Sequence, residues 1–285
     1  MTEVTVPDAD IERYCADQVR RFDHDRYLCA LFVPAPARAA VMALYAFNVE
    51  IGRIRDQIRE PMMGQIRLQW WREVIEHAPQ GDLRKHPVAE ALGAAIRAHA
   101  LPVGPFEALL VARERDLDSE PPATLAELEA YAEATSSGLL ELVLGVLGQR
   151  GDGPGQAARH VGIAWALTGL LRAVPFHASR RQFFLPRDLT AAAGLDVEAI
   201  VAGRPGAPLQ AVARQIGEAA GGHLRQARAV SVPRATVPGL LPAVLADQYL
   251  ARLERTGFSL FDTALARPPG DRALRLLWAA LRGRY

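Results

Sequence analysis

The sequence is almost free of lysine and poor in cysteine. Lys85 is the one lysine among 33 basic residues, and two cysteines occur in 285 residues. So few cysteines exclude a disulfide-stapled fold, and Cys15 and Cys29 are expected to be reduced. Basic and acidic residues balance at 33 against 32, so no nucleic-acid partner is expected. The remaining 32 basic residues are arginines, which fit either a genomic compositional bias or the binding of anions.

Long hydrophobic runs are also absent. The longest apolar stretches, 139–147 and 161–171, fall short of the ~20 residues that cross a bilayer. The N-terminal stretch is acidic and lacks the basic start and apolar run of a signal peptide. Half of the residues are nevertheless hydrophobic (50%), which excludes an intrinsically disordered chain. These features together favour a cytoplasmic protein with a packed core.

Helical periodicity is what the sequence has in abundance. Met62, Ile66, Trp70 and Val74 recur every four residues, which predicts a helix with one apolar face over 62–75. Similar patterns, with a capping box at Thr124, predict helices over about 8–21, 36–59, 87–100, 104–119, 124–148, 155–176, 208–230, 238–266 and 271–283. No alternating run predicts a strand, and no break is long enough for an interdomain linker. We therefore expect one all-α domain over 1–285, a bundle of about ten helices.

Common catalytic and metal-binding motifs are missing. There is no G-x-S-x-G, Walker A or H-E-x-x-H pattern, and no two of the seven histidines are three or four residues apart. Glu114 and Asp118 have helical spacing, but Arg113 and Arg115 beside them favour a solvated, salt-bridged face over a metal pair. Arg72 is likewise expected at the surface.

Two segments carry a more specific pattern. The first is LYAFNVEIGRIRD (44–56), followed by RLQWWR (67–72), and the second is VGIAWALTGLLR (161–172), continuing to RRQFFLP (180–186). In order and spacing they resemble the squalene/phytoene synthase family. That family shows YAF-C-R-x-x-D-D-x-x-D, then W-W-R, then L-G-x-A-x-Q-L-T-N-I-L-R-D-x-x-x-D, and ends in R-x-Y-L-P. The resemblance implies an isoprenoid-synthase-like helical bundle around a central cavity.

The chain departs from the family pattern where family members bind metal. They ionise prenyl diphosphates with Mg²⁺ ions held by aspartates of both segments. Gly52 and Arg53 stand at the first two aspartate positions, Ala173 and His177 stand at those of the second segment, and Asp56 remains. One carboxylate beside an arginine does not assemble a magnesium cluster. We therefore expect no metal site, no cofactor and no catalytic residue at these five degenerate positions, and hence a protein that is not an enzyme.

The replacement residues have a resemblance of their own. AFNVEI (46–51), RLQWW (67–71) and RAVPFHASRRQFFLP (172–186) resemble a divergent branch of the family. Its best-known members are mitochondrial assembly factors of respiratory complex I. The resemblance implies a non-catalytic assembly factor, or a binder of a lipid or isoprenoid, whose partner is a complex I subunit or assembly intermediate.

Arginines near the degenerate positions are candidates for ligand binding. In the family fold the helices over 36–59 and 155–176 face each other. The resemblance therefore allows Arg53, Arg172 and Arg180 to converge on an anion such as a diphosphate or a lipid headgroup. The other interpretation is a local ion pair between Arg53 and Asp56, which are three residues apart.

Further candidates are Tyr45, Glu50 and His177. Tyr45, like Phe47, Trp70 and Trp71, is interpreted as core in preference to the lining of a prenyl-binding cavity. Glu50 is expected to point into the cavity and pair with an arginine. His177 is expected to be buried and hydrogen-bonded, without an acid–base role. Pro175 is expected to end or kink its helix.

Three functions are therefore compared. The first is the non-catalytic assembly or lipid-binding factor. The alternative is a prenyltransferase that joins two prenyl diphosphates with an atypical metal site, and for it alone Mg²⁺ is expected. The third is a helical adaptor without a ligand cavity. Peripheral contact with the inner face of the membrane stays open, through Phe258, Leu260 and Phe261 with Arg252 and Arg255, although core packing is favoured for these apolar residues.

Overall fold

The computed structural model describes residues 9–81, 84–118, 120–204 and 206–285, and regular structure within these ranges is helical throughout. The first half forms α1 (Ala9–Phe22), α2 (His24–Ala30), α3 (Ala35–Gly52), α4 (Ile54–Gln57), α5 (Pro61–His77), α6 (Pro87–His99), α7 (Val103–Glu114), α8 (Leu125–Ala132) and α9 (Gly138–Val146). The second half forms α10 (Asp152–Ser179), α11 (Arg187–Ala192), α12 (Val197–Val201), α13 (Ala207–Ala229), α14 (Val237–Leu240), α15 (Pro242–Arg255), α16 (Thr263–Ala266) and α17 (Arg272–Arg282). The predicted all-α fold is confirmed.

Several predicted helices are interrupted, which is one reason why the helices outnumber the ten expected. The prediction over 124–148 divides at a π-helical turn, Glu133–Ser137, between α8 and α9. A Cβ added at Gly162 of α10 would lie 2.4 Å from the Cα of Ser137. The two segments therefore cross at a distance that glycine alone permits. The helix predicted over 36–59 is also interrupted and forms α3 and α4. The helix predicted over 238–266 forms α14, α15 and α16.

Helix ends follow local rules in some places and depart from them in others. Thr124 caps α8 as predicted, since its Oγ1 accepts a hydrogen bond from the Glu127 amide at 3.2 Å. The short helix α2 was not predicted, and Asp23 caps it by accepting from the Arg26 amide at 3.2 Å. Pro175 was expected to end or kink its helix, and it does not end it, because α10 continues to Ser179. Val174 and Ala178, both buried, anchor that last turn in the core.

Two helices are the centre of the hydrophobic core. Every residue of α3 from 41 to 49 is buried, so this helix is surrounded on all sides. Around it pack α1, α5, α6 and α7, with Phe47 and Phe106 fully buried in edge-to-face contact at 5.8 Å. The second core region surrounds α10 with α8, α13 and α15. Helix α9 contributes Leu139 and Leu142 to the first region and Leu140 and Leu144 to the second, so the two are continuous.

Most of the residues for which the sequence left burial undecided are buried in the core. Phe258 and Leu260 are each 3% exposed, which identifies them as core residues and not as a membrane-facing pair. Cys15 and Cys29 are free and buried, and burial, reinforced by Glu12 and Glu50, raises the pKa of Cys15 to about 12.

Arg72 was expected at the surface, but its side chain is 20% exposed and its guanidinium joins Glu107 and Glu114 of α7 at 2.8 and 2.9 Å.

Helix α10 is long and apolar enough to cross a bilayer when judged by length and composition. Its most apolar window has a mean hydropathy of 1.3, and it is the one such helix in the described part of the chain. In the fold, 56% of that window is buried, and α9, α13 and α15 pack around it. We therefore interpret α10 as the central helix of the bundle.

Candidate functional site

The two degenerate segments meet at one cavity. The end of α3, the start of α4 and the last turns of α10 face each other across a cavity of about 100 Å³. Its wall brings together the candidate residues Gly52, Asp56 and His177. The rest of the wall is formed by Arg55, Arg113, Asp116, Tyr131, Leu170, Phe176, Gln182 and Phe184.

The remaining aspartate of the first segment is already paired. The carboxylate of Asp56 lies 3.8 Å from the guanidinium Nε of Arg180, and that guanidinium also stacks on the Phe176 ring at 3.7 Å. Arg53, which was interpreted as the local partner of Asp56, stacks at 3.6 Å on the ring of Phe22 at the end of α1. Arg53 and Asp56 therefore bind different partners.

His177 occupies the position of the last family aspartate. Its ring lies 4.8 Å from that of Phe184 and 5.7 Å from that of Phe176. Burial lowers its pKa, an effect that the nearby carboxylates of Asp116 and Asp56 oppose and Arg180 reinforces. The imidazole is therefore neutral at pH 7, and it replaces a negative charge by an uncharged aromatic group.

Sequence reasoning missed a buried network on the same wall. Arg113 donates through Nη1 to Asp116 Oδ2 at 2.9 Å and to the Tyr131 hydroxyl at 2.8 Å, and that hydroxyl donates to Asp116 Oδ1 at 2.7 Å. Arg113 and Asp116 are only 17% and 10% exposed, whereas the neighbouring Glu114 is 42% exposed and salt-bridged to Arg72, as expected of a salt-bridged face. Burial raises the pKa of Tyr131, which stays protonated. The second carboxylate of the cavity is thus neutralised too.

Guanidinium groups on the wall retain free donors. Arg55 and Arg113 each have a buried Nε–H without an acceptor. A side chain added at Gly52 would begin 3.6 Å from the Arg113 Nη2. The cavity is therefore lined by two arginine side chains and by carboxylates whose charge is already balanced.

Arg172 belongs to a separate cluster on the other side of α10. Its guanidinium stacks at 3.4 Å on Tyr249 of α15 and lies 3.7 Å from the carboxylate of Asp25 of α2. Tyr249 donates to the same carboxylate at 2.6 Å, and Arg272 of α17 donates to its other oxygen. Asp25 thus joins four helices. Arg53, Arg172 and Arg180 each have a different partner, and a common anion for the three stays a prediction.

The remaining candidates have three different surroundings. Tyr45 is 2% exposed and lies in the core, as interpreted from the sequence. Glu50 lines another cavity, of about 380 Å³, whose wall includes Arg67, Trp70, Trp71 and His86. Glu50 therefore shares this cavity with Arg67, which was not one of the candidate ligand-binding residues. Ala173 is half-buried on α10.

The donor set of the site does not suit magnesium. Mg²⁺ takes carboxylate oxygens that are free of other cations. Here Asp56 is paired with Arg180 and Asp116 with Arg113 and Tyr131, and His177 is neutral. Within the described ranges, no group of three or more His, Cys, Asp or Glu side chains is placed to hold a metal ion.

Comparison with known proteins agrees with this fold and identifies the family. The architecture superposes on the crystal structure of a dehydrosqualene synthase with a TM-score of 0.82, at 19% identity and with 96% of each chain covered. The bundle is therefore an isoprenoid-synthase fold. The squalene/phytoene synthase family model matches residues 19–276, so the chain belongs to the squalene/phytoene synthase family, as its motifs indicated.

Two relatives of that family carry different names. A protein from Bos taurus named NADH dehydrogenase (ubiquinone) complex I, assembly factor 6 is 34% identical over 276 residues, which is 96% of this chain and 83% of that protein. A phytoene synthase from Thermus thermophilus is 30% identical over 279 residues, 91% of this chain and 89% of that enzyme. The chain is thus similar both to an assembly factor and to a synthase.

Proposed function

We propose that this chain is a non-catalytic member of the squalene/phytoene synthase family that serves the assembly of respiratory complex I. One observation carries the proposal: both carboxylates on the cavity wall, Asp56 and Asp116, are paired with guanidinium groups. Ionising a prenyl diphosphate requires several free carboxylates that hold Mg²⁺ against the leaving group. Gly52, Arg53, Ala173 and His177 supply none.

The similarity to assembly factors supports the same function. The assembly-factor relative is more similar to this chain than the synthase is, at 34% against 30% identity, over nearly the whole chain in both cases. We infer that the partner is a complex I subunit or assembly intermediate. The protein then acts as a binding factor, and the former catalytic fold supplies its surface.

The volume of the cavity limits the size of the ligand that it can hold. A volume of about 100 Å³ is well below the roughly 300–1,000 Å³ of small-molecule sites, so this cavity suits a headgroup and not a complete prenyl chain. The buried Nε–H groups of Arg55 and Arg113 need acceptors. We infer that the site takes a phosphate or diphosphate group, free or on a lipid, without magnesium.

Complementation tests the assembly function. The gene is deleted in its host, and assembled complex I is measured by native electrophoresis and by NADH oxidation in membranes. We expect the deletion to lower both measurements, and the wild-type protein and Asp56→Ala to restore them equally. Normal complex I in the deletion strain, or rescue that requires Asp56, contradicts the proposal.

The phytoene synthase relative favours the alternative of a prenyltransferase with an atypical metal site. The purified protein is incubated with farnesyl or geranylgeranyl diphosphate and Mg²⁺, and products are measured by mass spectrometry beside a catalytically competent family member. We expect no squalene-like or phytoene-like product. Formation of such a product at an enzymatic rate, abolished by Asp56→Ala, establishes the alternative instead.

A further inference from the structure

The last helix has two apolar faces, one of which faces solvent. On the inner face, Leu276 of α17 is fully buried and packs with Val237, Leu245 and Tyr249. On the outer face, four large apolar side chains are 45–69% exposed: Leu274, Leu277, Trp278 and Leu281. Their spacing places them in one stripe about 10 Å long, at 1.5 Å per residue. We call these four residues the α17 stripe.

The charge around the α17 stripe has one sign. Residues 272–285 contain four arginines and no aspartate or glutamate. Arg282 stacks on the Trp278 ring at 4.1 Å, within the stripe itself. The carboxylate of Asp271, which precedes the helix, is already bound by Arg275 at 2.6 Å and by Gln248. An apolar stripe with a tryptophan and flanking arginines therefore faces solvent, and the one carboxylate described beside it is already paired.

The helix is held firmly in this orientation. Arg234 donates to the carbonyl oxygen of Leu281 at 2.9 Å, and Arg228 donates to that of Tyr285 at 2.9 Å. Arg272 at the start of α17 binds Asp25. Because both ends and the inner face are bound to the protein, the α17 stripe is a preformed surface and does not need to refold to meet a partner.

We propose that the α17 stripe docks the protein on an anionic phospholipid bilayer. Leucine and tryptophan side chains enter the boundary between headgroups and acyl chains, while the exposed Arg282 and Arg284 bind the phosphates. A second copy of the chain suits this surface poorly. Two-fold pairing of α17 helices would bring the arginines of both copies together, and the carboxylate beside the stripe, that of Asp271, is already bound by Arg275. The proposal uses no residue of the cavity and holds whether or not the proposed function does.

Vesicle sedimentation tests the docking surface. The full chain is mixed with vesicles of phosphatidylglycerol and phosphatidylcholine, and separately with vesicles of phosphatidylcholine alone. The test variant is Leu274→Glu with Leu281→Glu, at positions 69% and 62% exposed. Its matched control is Met62→Glu with Ile66→Glu on α5, where the side chains are 68% and 57% exposed. Both pairs add the same charge to similarly exposed apolar positions.

We expect the wild type to sediment with the anionic vesicles, to do so less as salt is raised, and to leave pure phosphatidylcholine unbound. The test variant should lose at least about tenfold in vesicle affinity, because two anchoring leucines are replaced by repelled carboxylates, whereas the control changes less than about twofold. Circular dichroism checks that both variants melt like the wild type.

Three outcomes overturn the proposal. The first is a wild-type protein that does not bind anionic vesicles. The second is an equal loss in both variants, which shows that the α17 stripe has no special part in binding. The third is a wild-type dimer, seen by light scattering, that Leu274→Glu with Leu281→Glu dissociates, because the stripe then binds a second copy. Complex I assembly in the deletion strain is a separate measurement, so the two proposals fail independently.

Discussion

The carboxylate of Asp56 lies 3.8 Å from the guanidinium of Arg180, so the remaining aspartate of the first segment faces an arginine. The two residues come from different parts of the chain, α4 and the turn after α10. This pairing gives the Asp56 carboxylate a cationic partner within the protein itself.

Removing a donor from the cavity wall should weaken anion binding. We expect pyrophosphate to bind without Mg²⁺. Arg55→Gln, on the wall, or Arg180→Gln, whose guanidinium lies 3.8 Å from the Asp56 carboxylate of that wall, should weaken the binding about tenfold or more, since each loses a positive charge beside the anion. The matched control is Arg53→Gln, in the same segment, because Arg53 stacks on Phe22 outside the cavity wall. Titration calorimetry measures all four proteins. Binding that requires Mg²⁺, or an equal loss in the control, contradicts this assignment.

The buried network around Tyr131 should contribute to stability. Tyr131→Phe removes the hydroxyl that joins Arg113 to Asp116, and we expect a loss of about 1.5–3 kcal/mol in the free energy of unfolding. Urea denaturation followed by circular dichroism measures it. Tyr14→Phe is the control, because Tyr14 is 38% exposed and its change should stay within about 0.5 kcal/mol. Equal stability of the two variants would mean that the network contributes nothing.

Two glycines of α10 should respond in opposite directions to alanine. Gly162→Ala places a Cβ 2.4 Å from the backbone of Ser137, and we expect destabilisation by about 1–3 kcal/mol as the helices separate. Gly169 of the same helix has no atom within 4 Å of an added Cβ, so Gly169→Ala should stabilise the protein by up to about 1 kcal/mol. Thermal unfolding of both variants decides the matter, and a stabilising Gly162→Ala refutes the close crossing.

Stability should fall as the medium becomes acidic, in part through His177. Burial lowers the pKa of His177 below 6.5 in the folded protein, so the unfolded chain binds the proton first. This contribution is complete above pH 6.5 and is lost as the pH falls through the lowered pKa. We expect His177→Gln to lose less free energy of unfolding than the wild type between about pH 7.5 and about pH 5. Identical losses in urea titrations at the two pH values count against a buried neutral imidazole.

The sequence predicted the family and the all-α fold, because those depend on residue type and on spacing along one segment. The Arg113 network could not be predicted in the same way. Arg113 lies in a charged stretch, ARERDLD (112–118), whose pattern is typical of a solvated face. Its burial depends on Tyr131, which approaches from a different helix and carries no local signal.

Helix α17 shows a second limit of sequence patterns. Its apolar residues occur on two faces, with Leu276 on one and Leu274 and Leu281 on the other. Periodicity predicts a helix over 271–283, but it does not decide which face packs inward. Contacts with α2 and α15, which are distant in sequence, make that choice.

The position of Gly52 has a consequence for the evolutionary history of the site. An aspartate restored there would begin 3.6 Å from the Arg113 guanidinium and would pair with it instead of a metal ion. Asp56 is already paired in the same way. A carboxylate at position 52 would therefore hold a metal ion only if Arg113 were replaced as well. The two neighbouring arginines, Arg113 and Arg180, thus set how many further changes a metal site at positions 52 and 56 would require.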